Sequence, residues 1–149
     1  MVFLKANKAE GSFLGRGTHV WLEVRNEKLG KTTFSGAKSG DLLHVYRDYK
    51  RDFDRGHDRG LLEILVPAGM SEEEWDDTVI KHAEKVREEV HGNFAFSGFF
   101  PWGKTREGYS RSNCCIVARE IITRAGGRLP NGRIRGVVPG LGRGLRDYV

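Results

Sequence analysis

The chain has 149 residues, 38% hydrophobic and 30% charged, with a formal net charge of +5. That length fits one domain, and an aromatic content of 10% suffices for a modest core, which excludes a largely disordered protein. Uncharged apolar runs such as residues 64–69 are far shorter than the ~20 residues of a spanning helix, and the opening Met-Val-Phe-Leu-Lys-Ala-Asn-Lys lacks the apolar stretch of a secretory signal. A membrane-spanning helix is therefore excluded. The expected location is the cytoplasm as made, and action outside it would need delivery by a secretion system.

In chain order, residues 1–17 are polar and Gly-containing and read as an irregular entry. Residues 18–24, Thr-His-Val-Trp-Leu-Glu-Val, have the β-branched and aromatic content of a strand. Alternation puts His19, Trp21 and Glu23 on one face and Val20, Leu22 and Val24 on the other. A turn over residues 26–30 and a second strand over residues 32–35 complete a hairpin. Residues 42–46 read equally as a third strand or a short helix. Residues 47–60 mix Asp, Arg and His with almost no apolar content and read as an exposed, self-paired loop. The cations interspersed there oppose metal binding, so no metal or other cofactor is expected. Residues 61–66 form an apolar run ended by Pro67, a buried strand.

Ser71 and Glu74 have capping-box spacing, with acids filling the first turn of the next helix. Trp75, Val79, Ala83, Val86 and Val90 recur at helical spacing, and Gly92 is the stop. Residues 94–102, Phe-Ala-Phe-Ser-Gly-Phe-Phe-Pro-Trp, are too irregular for a strand and too apolar for an exposed loop, and are expected to line a pocket that includes Trp102. Ser112 or Asn113 caps a second helix running to Ala125, where Gly126-Gly127 ends it. Its stripe of Cys114, Val117, Ala118, Ile121, Ile122 and Ala125 faces inward. Residues 128–149 carry a net charge of +4 and form a basic Gly/Arg-rich C-terminal extension of a single domain over 1–149. The aromatic residues are not interleaved with those Arg residues, which makes nucleic acid an unlikely partner.

The chain holds two cysteines, the neighbours Cys114 and Cys115, so no disulfide framework is expected. Either could simply fill the core. Cys114, however, falls at the first turn of a buried helix, where unpaired N–H groups and the helix dipole favour a thiolate. A nucleophilic thiol needs a base, and the base needs an orienting group. His19, on a strand of core residues, is the leading base, with Glu23, Thr33 and Ser35 as rival orienting groups. His44 is a second candidate base, and His57, His82 and His91 are expected to be solvated. Asn113, Tyr109 and Trp102, with Thr33 and Ser35, are the candidate oxyanion- or substrate-binding residues.

Two stretches then stand out together: Gly17-Thr18-His19-Val20-Trp21-Leu22-Glu23-Val24 and Ser112-Asn113-Cys114-Cys115-Ile116-Val117-Ala118-Arg119-Glu120. A His-bearing strand followed late in the chain by an Asn-Cys helix start resembles the circularly permuted branch of the papain-like, NlpC-type cysteine peptidase and amidase superfamily. The likeness is to its small bacterial effector and toxin-associated members, and covers roughly residues 15–127. It implies an α+β fold in which an antiparallel sheet packs against a helix carrying the nucleophilic Cys at its N-terminus. It implies Cys114 as nucleophile, His19 as general base, and Tyr109 on the oxyanion side. The doubled Cys departs from the pattern and leaves open which thiol reacts. The implied reaction is thiolate attack on an amide carbonyl, with a peptide or peptidoglycan-type substrate and, for toxin-associated members, an immunity or inhibitor protein as partner. The alternatives are a lipid or protein acyltransferase on the same fold, and a non-catalytic nucleic-acid- or protein-binding module.

Overall fold

A computed structural model describes residues 1–9, 17–54, 56–98 and 101–129. Most of the basic extension from residue 128 onward lies outside the described residues. The fold is mixed α+β, a seven-stranded, mostly antiparallel sheet with its two longer helices on one face. In chain order its elements are β1 (Val2–Lys8), β2 (Thr18–Asn26), β3 (Gly30–Ser39), β4 (Leu42–Arg47), α1 (Lys50–Phe53), β5 (Gly60–Ile64), α2 (Glu72–Val90), β6 (Phe94–Phe96), β7 (Arg111–Ser112) and α3 (Cys114–Arg124). The strand order is β5-β1-β2-β3-β4-β6-β7, and the β6–β7 pair is parallel. No helix among the described residues is long and apolar enough to cross a membrane.

The structure corrects several expectations from the sequence, among them the burial of residues 61–66, of which Leu61, Leu65 and Val66 are exposed. Residues 1–17 are not an irregular entry throughout: Val2–Lys8 is an interior strand, paired with β2 on one side and β5 on the other. Its alternation is real, with Val2, Leu4 and Ala6 in the core, but two lysines and an asparagine disguise it. Residues 94–96 do form a short strand, and Phe94 and Phe96 pack against the hydrophobic core rather than lining an open pocket.

The helical elements obey local chemistry. The Ser71 hydroxyl accepts from the Glu74 N–H at 3.1 Å while the Ser71 N–H donates to the Glu74 carboxylate at 3.4 Å, closing the capping box. Trp75, Val79, Ala83 and Val86 are fully buried along the inner face of α2. At the start of α3, the Asn113 side-chain oxygen accepts from the Ile116 N–H at 3.0 Å. Such a cap contributes about 1 kcal/mol. Both helices pack on the sheet face that carries Val20, Leu22, Val24 and Phe34, so the core is a helix-on-sheet layer.

The feature that positions the site is a split in the sheet. β2 pairs with β1 along its length, from Val24 to Thr18, but with β3 only from Asn26 back to Leu22, which faces Phe34. From Phe34 onward β3 pairs with β4 instead. The two strands therefore part beyond Leu22 and Phe34, and the first turn of α3 sits against both. A Cβ on Gly36 of β3 would lie 2.9 Å from Val117 Cγ2, 3.0 Å from Leu43 Cδ1 and 3.4 Å from Cys114 Cα. Only glycine admits the helix at this distance.

Candidate active site

Cys114 is the first residue of α3, and His19 lies near the start of β2, at the split. Cys114 is buried, 8% exposed, with its Sγ 4.0 Å from the Thr18 carbonyl oxygen. Its side chain is hydrogen-bonded to His19, and the Val20 backbone also supports the thiolate. Ninety-five positions of sequence separate the two residues; the parted strands bring them together.

His19 is equally enclosed, at 9% exposure. Its Nε2 lies 2.9 Å from Asp52 Oδ1. The Cys114 thiol is the other side chain that acts on the ring. The imidazole stacks on Trp21, two residues along the same face, with ring centres 5.5 Å apart and planes 19° apart. Asp52 is fully buried, and its Oδ2 accepts a 2.5 Å hydrogen bond from the Ser35 hydroxyl. The result is a continuous line of side chains: Cys114, His19, Asp52, Ser35.

This line sets the electrostatics. Burial alone would discharge His19, but hydrogen bonds to Asp52 and Cys114 and the negative charge of both outweigh it and raise the imidazole pKa to about 9. For Cys114 the largest influence is the hydrogen bond from the Cys115 thiol. Burial opposes it, and the hydrogen bond and charge of His19 add to it, holding the Cys114 thiol well below its ordinary value. Cys115 is pushed well above its ordinary value, by its bond to Cys114 and by burial. The two neighbouring thiols are thus pushed in opposite directions, Cys114 down and Cys115 up. Burial opposes the charge of Asp52, yet its bonds to His19 and Ser35 and the nearby Arg51 charge hold its carboxyl below the usual range.

Asp52 was missed by sequence reasoning, which took residues 47–60 as a solvated loop. The loop is instead drawn down over the sheet face that bears His19. The Arg59 guanidinium donates to the Gly17 carbonyl and the Thr18 hydroxyl, Asn7 donates to the Gly56 carbonyl, and Lys31 donates to the Phe53 carbonyl. A four-residue turn with one apolar side chain has no periodicity from which burial could be read. The available signal was chemical: a run of acids beside a strand with a candidate base.

Glu23 does not hold the ring. It is fully buried on the same face of β2, four residues from His19, but its carboxylate pairs with Lys5 at 3.3 Å, with Arg25, and with Lys31 at 4.0 Å. Those cations, two of them on neighbouring strands, claim it before it could reach along the strand. Thr33 faces the same way, but it bonds through its backbone to Asp48 and its buried hydroxyl has no partner among the described residues. Ser35 acts one step removed, on Asp52. Asn113 caps α3, and its amide group also donates to the Gly98 carbonyl at 3.1 Å, so its side chain serves the turn rather than an oxyanion. Tyr109 is 42% exposed in the loop before β7, and among the described residues its hydrogen bonds are to Thr105, not to the Cys114–His19–Asp52 line. Trp102 lies in the same loop, where its carbonyl accepts from Arg111 at 3.3 Å.

The remaining histidines have other surroundings. His44 packs on His91, with ring centres 4.2 Å apart. His91 is not simply solvated: its Nδ1 lies 2.9 Å from the Val45 N–H and 3.0 Å from the Val45 carbonyl, covering the edge of β4 beyond β6. Among the described residues no three His, Cys, Asp or Glu side chains gather as a metal-ligand set. An open cleft of about 360 Å³ lined by Glu84, Arg87, Glu88 and His91 shares no residue with the Cys114–His19–Asp52 line.

What this geometry can do is nucleophilic chemistry. A helix N-terminus leaves its first N–H groups without intrahelical acceptors. Asn113 takes those of Ile116, through its side chain, and Val117, through its carbonyl. Among the described residues nothing accepts from the amides of Cys114 and Cys115, which can meet an anion forming beside Sγ. Comparison with protein-family models, with curated proteins and with solved structures finds no match to this chain.

Proposed function

We propose that this protein is a cysteine hydrolase that cleaves an amide bond through an acyl-enzyme, on a permuted papain-like arrangement. The observation that carries the reading is the continuous hydrogen-bonded line from the Cys114 thiol through His19 to the buried Asp52. A core cysteine needs none of this. A buried carboxylate and a buried imidazole each cost free energy unless they are paired, and here both are arranged around one thiol. The order of the chain, base on β2 and nucleophile at the start of α3, is the permuted order.

In this reading the Cys114 thiolate attacks the amide carbonyl carbon and forms a C–S bond. The carbonyl oxygen becomes an oxyanion held by the first-turn N–H groups of α3. The imidazolium of His19 gives its proton to the amide nitrogen as the C–N bond breaks, and the amine leaves. Neutral His19 then takes a proton from water, whose oxygen attacks the thioester. The carboxylic acid departs and the thiolate–imidazolium pair returns. Asp52 keeps the ring oriented and stabilises its charge throughout. A peptide amide of the bacterial cell wall is the substrate class we favour, on the resemblance to small effector and toxin-associated members, with delivery by a secretion system and an immunity protein as the matching partner.

The test is alkylation of the full chain by iodoacetamide across pH, with the modified residue identified by mass spectrometry. Cys114 alone is expected to react fast below pH 7, and to slow about 10²-fold or more in His19→Ala. Slow reaction of both thiols, rising only near the ordinary thiol range of ~8.5, would sink the reading. Incubation of the active protein with cell-wall peptides then tests the substrate class by release of new amino termini.

A further inference from the structure

Among the described residues, Asp48 is the only non-glycine with a left-handed backbone, at φ 53°. That conformation costs free energy for any residue with a Cβ, and persists where the surroundings require it. Here the surroundings are β3. The Asp48 N–H donates to the Thr33 carbonyl at 2.8 Å, and its Oδ1 accepts from the Thr33 N–H and the Thr32 hydroxyl, each at 2.8 Å. The carboxylate thus stands in for a strand partner at the point where β4 ends and the chain turns back over the sheet.

The turn leads directly into α1. The Tyr49 carbonyl accepts from the Asp52 and Phe53 N–H groups, each at 2.9 Å, so the place of Asp52 is set one peptide after Asp48. The Tyr49 ring stacks on Tyr46, with centres 4.6 Å apart. At the far end, Lys31 donates to the Phe53 carbonyl at 2.7 Å, its ammonium 4.0 Å above the Phe53 ring. A helix of one turn does not hold itself together. This one is fastened at both ends to β3, the strand whose Ser35 also bonds Asp52.

We propose that Asp48 is a positioning residue for the reacting pair: its carboxylate, bonded to Thr32 and Thr33, fixes the chain reversal that sets Asp52 against His19. This rests on the reading of Cys114 and His19 as nucleophile and base. It assigns a task to one more acid of a segment that reads, in sequence, as solvated.

The experiment measures Cys114 alkylation against pH, and the His19 titration by NMR, in the full chain and its variants. Asp48→Gly removes the carboxylate while accepting the left-handed backbone, so a loss cannot come from strain. Asp48→Asn keeps an acceptor oxygen and also tolerates that backbone. Asp52→Ala sets the scale, expected to slow alkylation at pH 6.5 by about 10²-fold. Asp48→Gly is expected to fall most of the way to that value, with the His19 pKa dropping below its wild-type value of about 9, while Asp48→Asn stays near wild type. Should Asp48→Gly fail to fold, Thr32→Val deletes one bond to Oδ1 and leaves Asp48 in place. It is expected to slow alkylation by about twofold to tenfold, the worth of one hydrogen bond. Wild-type behaviour in whichever of Asp48→Gly and Thr32→Val folds overturns the proposal, as does an Asp48→Asn variant as slow as Asp48→Gly. An ordinary thiol profile in the wild-type chain overturns instead the reading beneath it.

Discussion

Glu23 and Asp52 are both fully buried carboxylates on the same face of the sheet, yet their surroundings differ in kind. Glu23 is ringed by the ammonium groups of Lys5 and Lys31 and the guanidinium of Arg25. Asp52 meets an imidazole and a hydroxyl, partners that exchange protons or reorient. A carboxylate held by three ion pairs is locked, and can only stabilise or destabilise. A carboxylate on an imidazole transmits its charge to whatever that imidazole touches, here the Cys114 thiol. Burial alone therefore does not mark a functional acid; the identity of the partner does.

The contrast is tested most directly at the two acids. Asp52→Ala is expected to lower kcat/KM for amide cleavage by about 10²- to 10⁴-fold, measured on the substrate found by the peptide screen. Glu23→Gln should do the reverse. It strands the buried Lys5 ammonium and is expected to cost about 3–5 kcal/mol of stability in urea unfolding, with no shift in the pH profile of Cys114 alkylation in the protein that remains folded. A profile that moves with Glu23→Gln would show that the two acids are not separate systems.

A smaller effect tests the split that holds the pair. Gly36→Ala puts a methyl group against Val117, Leu43 and the Cys114 backbone. Overpacking of this kind costs about 1–3 kcal/mol and should push the first turn of α3 outward. Both a lower urea midpoint and slower alkylation of Cys114 are expected. Smaller again, Asn113→Ala removes the α3 cap for about 1 kcal/mol, with the thiol still reactive below pH 7.

The pH dependence of stability should show an absence of slope. His19, raised from 6.5 to about 9, stabilises the fold fully below 6.5, and that contribution is lost as pH rises through about 9. Cys114, depressed below its ordinary value of 9.0, contributes in the opposite sense, gaining as pH rises toward 9. The proton that one loses the other holds, so the melting temperature should be nearly level between about pH 6.5 and 9 as far as this pair is concerned. Asp52, held below 3.8, adds stability that is present above that value and lost as pH falls through its folded pKa. A slope of about one full proton across that range, abolished by replacing His19 and Cys114 together, would count against the ion pair.

Much of this protein is written locally. The capping box at Ser71, the cap at Asn113, the stripes of α2 and α3 and the alternation of β2 are decided within a few residues of chain, so they could be read before the fold was seen. So could the placement of Cys114 at a helix N-terminus and of His19 on a strand. Strand β1 was harder, because Lys5 is buried on the face away from the hydrophobic core, where its ammonium pairs with Glu23. Which acid orients His19 was not legible at all. Glu23 has the better local credentials, on the right face of the right strand, and is taken by cations from β1 and β3. Asp52 has none, sitting in a one-turn helix among charges, and is buried because β3 fastens both ends of that turn. Short-range chemistry in the chain was enough for α2 and α3, for strands β2, β3 and β5, and for singling out Cys114 and His19 as candidates. That they meet at all depends on the assembled sheet, through the parting of β2 from β3, and so does the choice of carboxylate behind them. The reason is physical: caps and periodicity act over one or two turns of chain, whereas burial of a charge is settled by whichever partner another strand brings within reach.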